Sequence, residues 1–275
     1  DAGQLGLGGW SLSSHHALEI DNGDIYLGTG AIQHFDPVAF GNAFSAYRMD
    51  WVGGDPSKPE QDGVSAKESS LSFAGGVLPT AIAADPDGSV WISYGGLDTL
   101  LSANTGIRRI RPDGIIEHIA GLAPLVALTD GVVAEHAPIR GSFLRVAPNG
   151  DLVVVDANGN SIWRITNENP RRIRLVAGTG AGCVGGTCGD GGPATSAQVD
   201  TPQSVAFDDA NNMYIAQAGT GGKVRKIDPV GKISSLFAFG SARDVEVDGL
   251  GVLYVRGVND NVSRWPLTAM TSQSP

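Results

Sequence analysis

A chain of 275 residues with 19 Lys and Arg against 29 Asp and Glu carries a formal net charge of −10. Nucleic-acid backbones and anionic membrane surfaces are excluded as expected partners, because most of the surface would repel them, and no run of about 18 apolar residues suggests a membrane-spanning helix. With 39 Gly and 15 Pro beside 41% hydrophobic and only 17% charged residues, the composition is that of a turn-rich, all-β chain long enough for one large domain.

The opening DAGQLGLGG has no leader character and reads as the start of an excised or mature product, with residues 1–14 as an entry segment. One phrase then recurs along the chain: an apolar strand, a tight Asp- or Asn-containing turn, a second apolar strand, a polar loop, and a strand carrying Arg or Lys. Its copies are the faint HALEIDNGDIYLGTG, then AIAADPDGSVWISYGG with GIRRIRPDGIIEHIAG, and FLRVAPNGDLVVVDANGNSIWRI with RRIRLVAG. SVAFDDANNMYIAQAG with KVRKIDPVGKISSLFAF and DVEVDGLGVLYVRGVNDNVSRWPL complete the series.

Aligned on the second strand, the copies place Trp91, Val153, Tyr214 and Tyr254 in register, with Tyr26 as a weaker member. Short strands joined by such turns predict antiparallel four-stranded sheets. One sheet cannot bury both of its faces, whereas radial stacking buries each against its neighbours, which is the β-propeller solution. A single propeller over 1–275 is expected, with blades at approximately 15–52, 80–120, 142–178, 203–240 and 242–270. Five are visible and a sixth has room. The last copy meets Pro266 without a fourth strand, so the segment GGWSLSSHH is a candidate to close it; otherwise an open edge remains.

Three insertions separate the copies, at 53–79, 121–141 and 178–202. Each leaves an outermost strand and returns to an innermost one, so all three are expected on one face of the disc, where loops often carry recognition. The candidate binding residues are Asp55, Lys58, Glu60, Asp62, Glu135, His136, Asp190 and Gly191. The third insertion holds both cysteines, Cys183 and Cys188, separated by four residues in a Gly-rich loop. That spacing favours a disulfide over free thiols or a metal site, for which no further ligands are written nearby. A disulfide implies an exported setting.

A catalytic reading needs convergent side chains. His15 and His16 are adjacent and point to opposite faces on a strand, His34 ends the first copy, His118 falls on an outermost strand and His136 in an insertion, so no axial metal, catalytic set or cofactor site is expected. Asp85, Asp87, Asp113, Asp151, Asp209 and Asp248 stand at hairpin turns, where Asp bonds its own following backbone. No G-x-S-x-G elbow occurs. Arg109, Arg164, Lys226 and Arg264 share a register on the third strands, and their stems are expected to lie on a neighbouring blade beside acids there.

The string GTGAGCVGGTCGDGGPATSAQVDTPQSVAFDDANNMYIAQ followed by KVRKIDPVGKISSL resembles an NHL repeat. LGLGGWSLSSHHALEIDNGDIYLGTG and the Cys183/Cys188 pair ahead of Gly189-Asp190-Gly191-Gly192 are similar to the propeller of teneurins and bacterial YD-repeat (Rhs-like) proteins. The resemblance implies an NHL-type propeller attached to a hollow YD-repeat β-shell of the same polypeptide. It also implies an extracellular or cell-surface setting, a role in capping or decorating that shell, toxin encapsulation in bacterial relatives and cell adhesion in animal ones. It implies no active site. A non-catalytic interaction module follows, with the shell and a cell-surface protein or glycan as partners; the alternative is a stand-alone propeller hydrolase or lyase with an axial metal.

Overall fold

The computed structural model describes residues 17–21, 24–28, 32–40, 43–53, 57–59, 61–70, 79–94, 106–121, 127–183, 185–259 and 261–270, with side chains from residue 57 to residue 268. The entry segment 1–14, the candidate closing segment with Trp10, His15 and His16, and Asp55 and Glu60 lie outside the described residues. So do the side chains of Tyr26, His34 and Trp51.

Five antiparallel sheets follow one another along the chain. The first contains β1 (Ala17–Asp21), β2 (Asp24–Gly28), β3 (Ile32–Phe40) and β4 (Ala43–Gly53), and the second β5 (Pro79–Ala84), β6 (Val90–Tyr94), β7 (Gly106–Ile110) and β8 (Ile116–Ala120). The third contains β9 (Phe143–Val146), β10 (Leu152–Asp156), β11 (Ser161–Ile165) and β12 (Ile173–Ala177); the fourth, β13 (Pro202–Phe207), β14 (Met213–Gln217), β15 (Gly222–Ile227) and β16 (Ile233–Gly240). The fifth has three strands among the described residues, β17 (Ala242–Val247), β18 (Val252–Gly257) and β19 (Val262–Pro266), and a single turn of helix, α1 (Leu267–Met270), follows. In every sheet the strands are hydrogen-bonded in chain order. Strand β1 lies against β5, β5 against β9, β9 against β13 and β13 against β17, so each sheet's first strand is innermost and the sheets radiate from it.

The turns explain why the strands reverse where they do. At the β5–β6, β9–β10, β13–β14 and β17–β18 connections, the amides of Gly88, Gly150, Asn211 and Gly251 donate to the carbonyls of Asp85, Ala147, Asp208 and Asp248 at 2.8–3.0 Å. The fourth of these residues sits at positive φ in each turn, +87°, +80°, +59° and +72°, a conformation that Gly adopts freely and Asn tolerates. The expected register holds: Trp91 faces Arg109, Val153 faces Arg164, Tyr214 faces Lys226 and Tyr254 faces Arg264.

Radiating sheets diverge towards the rim, and the gaps between them must be filled at near-solid density. The insertions do part of this filling. Each dips into a gap and contributes to a core: Ala66 packs with Ile82, Ile92, Ile110 and Ile116. Ala134, Ala137 and Ile139 pack between Trp91 of the second sheet and Leu144, Leu152 and Ile173 of the third. Ala194, Ala197 and Val199 pack between Val155 and Ile162 of the third sheet and Val205, Ile215 and Ile233 of the fourth. No insertion separates the fourth and fifth sheets, since only Ser241 stands between β16 and β17. There Leu236, Phe237 and Phe239 of the long β16 fill the space, with Phe237 stacked on Trp265 at 4.5 Å.

Candidate interaction surface

The three insertions share one local design. Asp62-Gly63-Val64-Ser65-Ala66, Asp130-Gly131-Val132-Val133-Ala134 and Asp190-Gly191-Gly192-Pro193-Ala194 each lead into a 3-10 turn, at 66–68, 134–136 and 194–196. The Gly amide donates to the carbonyl of Ile116, Ile173 or Ile233 at 2.8 Å, and the amide of that Ile donates back to Val64, Val132 or Gly192 at 2.9–3.0 Å. Each insertion thus forms a short antiparallel patch on the outer strand of the sheet that follows it. The three glycines hold φ of +75°, +85° and +84°, which a side chain would strain.

Buried arginines secure two of these patches. Arg108, 1% exposed, donates from Nη2 and Nε to Asp62 Oδ1 at 2.6 and 3.2 Å and also reaches the carbonyls of Gln61 and Ser70 at 2.8 and 3.2 Å. Arg225, 0% exposed, donates to Asp190 Oδ1 at 2.5 and 3.1 Å and to the carbonyls of Gln198 and Cys188 at 2.8 and 3.3 Å. In the third sheet the equivalent position is Trp163, facing Val154 as Arg108 faces Ile92 and Arg225 faces Ile215. Asp130 there accepts instead from the backbone amide of Leu175 at 2.8 Å. The sequence reading passed over Arg108 and Arg225 in favour of their neighbours. Two signals could have found them: the tandem cations Arg108-Arg109 and Arg225-Lys226, and the D-G-x-x-A spacing repeated at 62, 130 and 190.

The remaining candidates take varied places. Lys58 is exposed and pairs with Glu68 at 3.2 Å. Glu135 is exposed and His136 half-buried on the 134–136 turn of the second insertion, and Glu135 shares a cavity with His118, the neighbour of Asp62. Cys183 and Cys188 are joined as a disulfide, with Cα atoms 5.6 Å apart. Between and before them, Thr179, Gly180, Ala181, Gly185, Gly186 and Thr187 are exposed, while both cysteines are buried. Asn160, from the β10–β11 connection, bonds Gly180 at 3.5 Å and the amide of Thr201 at 2.8 Å, closing the insertion's far end.

The aspartates of the hairpin turns are committed to local structure. Asp87 accepts from the Ser89 amide and from Arg109 at 2.8 and 2.7 Å, Asp113 from the Ile115 amide at 3.1 Å, and Asp248 from the amides of Leu250 and Val252 at 2.9 and 2.8 Å. Asp208, rather than its exposed neighbour Asp209, makes the turn bonds of the fourth sheet, to the amides of Ala210 and Asn212 and to the Tyr214 hydroxyl. Burial alone would raise the Asp208 carboxyl, but hydrogen bonds from Asn212 and Tyr214 outweigh it and hold it below its ordinary value. Burial, followed by the same hydrogen bond, pushes the Tyr214 phenol well up.

The third-strand cations lie over their own sheets rather than a neighbour. The guanidinium of Arg109 is 4.9 Å from the centre of the Trp91 ring, and Lys226 is 6.0 Å from that of Tyr214. Direct opposition in the strand register brings these pairs together before any neighbouring sheet is in reach. Near the axis, Arg145 of β9 forms a bidentate pair with Glu246 of β17. His118 lies on β8, its Nδ1 3.8 Å from Asp62 Oδ2, and burial pushes it below its ordinary value despite that carboxylate. Among the described residues no group of three His, Cys, Asp or Glu side chains is placed to share a metal ion.

Radiating antiparallel sheets with insertion patches between them define an NHL-type β-propeller. The teneurin NHL domain family model matches residues 64–266, and the chain belongs to that family. Human teneurin-4 is 28% identical over 258 residues, covering 89% of this chain, and mouse teneurin-3 is 27% identical over 277 residues, covering 97%. Teneurin-1 of Caenorhabditis elegans is 27% identical over 237 residues. The chain spans about 8% of the length of these relatives. Among solved structures, a protein of unknown function from Bacteroides thetaiotaomicron superposes with a TM-score of 0.59 at 15% identity, covering 90% of this chain and 57% of that one. The PQQ-bound aldose sugar dehydrogenase of Streptomyces coelicolor gives 0.54 at 14%, covering 96% and 80%. At such identities these two share the fold with this chain and nothing more.

Proposed function

We propose that this propeller is a non-catalytic structural and protein-interaction module of a larger exported YD-repeat protein, docking on that protein's β-shell and offering its insertions to a cell-surface protein or glycan. The observation that carries this reading is the anchoring of the 179–187 stretch, exposed at 179–181 and 185–187. The Cys183–Cys188 bond closes it, and the buried Arg225 holds Asp190, Gln198 and the Cys188 carbonyl beneath it. A loop fixed in this way presents a preorganised surface and loses little entropy on binding. The family membership and the small share of each relative that the chain spans agree with a part working inside a longer polypeptide. The disulfide agrees with an oxidising, extracellular compartment.

The test is to express the propeller and the YD-repeat portion of the same polypeptide separately and mix them in sedimentation velocity. A variant with Thr179, Thr187 and Ala181 replaced by Asp should keep its melting temperature and associate more weakly. Equal association would remove 179–187 from the shell contact and leave it to the second partner alone, and turnover of a lactone by the metal-loaded propeller that chelation removes would count for the enzyme reading instead.

A further inference from the structure

Four sheets place a residue of the second strand opposite a third-strand cation: Trp91 and Arg109, Val153 and Arg164, Tyr214 and Lys226, Tyr254 and Arg264. In three of them the aromatic side chain is also tied to the Asp that opens the preceding turn. Trp91 Nε1 donates to Asp85 at 3.2 Å, Tyr214 to Asp208 at 2.8 Å and Tyr254 to Asp248 at 3.0 Å. The third sheet departs in both members at once, with Val153 for the ring and Ala147 for the acid, although its turn has the same backbone bonds as the others.

The paired loss has a steric consequence. Trp91 fills the gap between the second and third sheets and Tyr214 that between the fourth and fifth. Val153 faces the gap between the third and fourth, and there a groove of about 610 Å³ opens, lined by Ala147 and Val153 themselves with Leu175, Phe207, Met213 and Ile227. The cation has stayed. Arg164, its side chain 45% exposed, has no ring of its own to cover and turns to Asp151 at 3.1 Å. The connection between the third and fourth strands matters as well. In the third sheet it runs through 166–172 and sets Arg171 5.3 Å from the Trp91 ring, whereas in the fourth it is the tight turn 228–231, which leaves the groove open.

We propose that this groove receives an aromatic side chain, Trp or Tyr, presented by a partner protein, with Arg164 against its face. The occupant is argued from the chain itself: in three other sheets this register position is occupied by Trp or Tyr with a cation opposite it. A cation over an aromatic face is favourable, the more so when water is excluded, and the volume lies in the range of sites that enclose small ligands. The lip is apolar, with Val230 88% exposed beside Pro148 and Pro229. Asp228, on the rim, supplies a carboxylate for an indole N–H or phenol O–H, as Asp85, Asp208 and Asp248 do elsewhere. The groove opens among the β9–β10 turns, at the end of the sheets opposite the β10–β11 connection that touches Gly180. It is therefore a second contact, and it rests on the interaction-module reading only for its partner being a protein.

The experiment uses N-acetyl-tryptophanamide, with N-acetyl-leucinamide as the control, titrated into the methyl-labelled chain and followed by NMR. Shifts at Val153, Leu175, Met213 and Ile227 are expected to saturate with a Kd on the order of 1 mM for the aromatic amide and to be absent for the aliphatic one. The double variant A147D/V153W restores the pattern of the other sheets, and should abolish the shifts while raising the melting temperature. R164Q, at a half-exposed position, should keep the fold and weaken the aromatic amide by roughly two- to fivefold. Equal shifts from both amides, no shifts at these methyls, or unchanged affinity in R164Q would overturn the proposal. None of these outcomes bears on association through 179–187, so the two readings fail separately.

Discussion

Arg108 and Arg225 show how single residues hold this fold together, because each is a charge removed from water whose neutralising partner lies on a different segment of chain. Removing one member of a buried pair leaves the other uncompensated, which is costlier than removing the charge itself. D190N leaves the fully buried Arg225 uncompensated and should destabilise by about 3 kcal/mol or more, whereas R225M leaves two carbonyls and an Asp190 that is 24% exposed and within reach of water, and should cost roughly 1–3 kcal/mol. Urea midpoints of the two variants decide it, and an R225M protein less stable than D190N would rule out this account. His118 gives the pH dependence. Burial, with Arg108 adding to it and the carboxylates of Asp62 and Glu135 opposing it, sets its folded pKa below the ordinary 6.5. The unfolded chain therefore takes up the proton first. Stability from this residue is present above about pH 6.5 and is lost as pH falls through that value towards the folded pKa. Asp87 and Asp208, also depressed, add a second loss only below their ordinary 3.8. H118Q should flatten the change in urea midpoint between pH 7 and pH 5 and leave the more acidic limb in place. An unchanged slope would assign the upper window to another group.

At the level of elements, the hairpins were legible because tight turns and alternating apolar strands are local signals, written within a few residues. The insertions were harder. Their glycines and exposed acids have the composition of surface loops, and the buried residues they give to the cores between sheets are mostly small, Ala66, Ala134, Ala137, Ala194 and Ala197, with only Ile139 and Val199 larger among the described residues. Alanine carries almost no hydrophobic pattern by itself, so the depth of these segments could not be read from periodicity. Two measurements separate the buried part of an insertion from its exposed part. I139A removes a side chain that is 0% exposed between the second and third sheets, and should cost about 2–5 kcal/mol. Reducing Cys183–Cys188, by contrast, opens a very short loop, which removes less unfolded-state entropy than a long-range bridge would. It should barely move the melting temperature while accelerating amide exchange across 179–187. A large drop in melting temperature on reduction would mean that the disulfide supports the sheets themselves.

For the molecule as a whole, the order of the sheets followed from the repeats, and so did the three strands of the last one among the described residues. How neighbouring sheets meet did not follow, because a repeat shows what recurs along the chain and not what lies between one copy and the next. The groove of the third sheet is the sharpest case: Val153 was aligned with Trp91, Tyr214 and Tyr254, yet only the three-dimensional neighbourhood turns that alignment into space. The same scale governs closure. Strand β1 covers one side of β5, and β19 is paired with β18 alone among the described residues, with Val262 63% exposed on it. Deleting residues 1–35 removes β1 and β2 and cuts into β3, so the second sheet loses its neighbour, and the candidate closing segment 8–16 goes with them. Unpaired edges and uncovered apolar faces recruit other copies. The truncated protein should therefore melt at lower temperature and sediment as concentration-dependent oligomers. Introducing V262K into the truncated chain should lower the oligomer fraction if copies join along β19, since an edge Lys blocks strand addition; an unchanged fraction would place the contact on the uncovered face of β5. A truncated chain that stays monomeric with the melting temperature of the full one would show that the first sheet is dispensable to the ring.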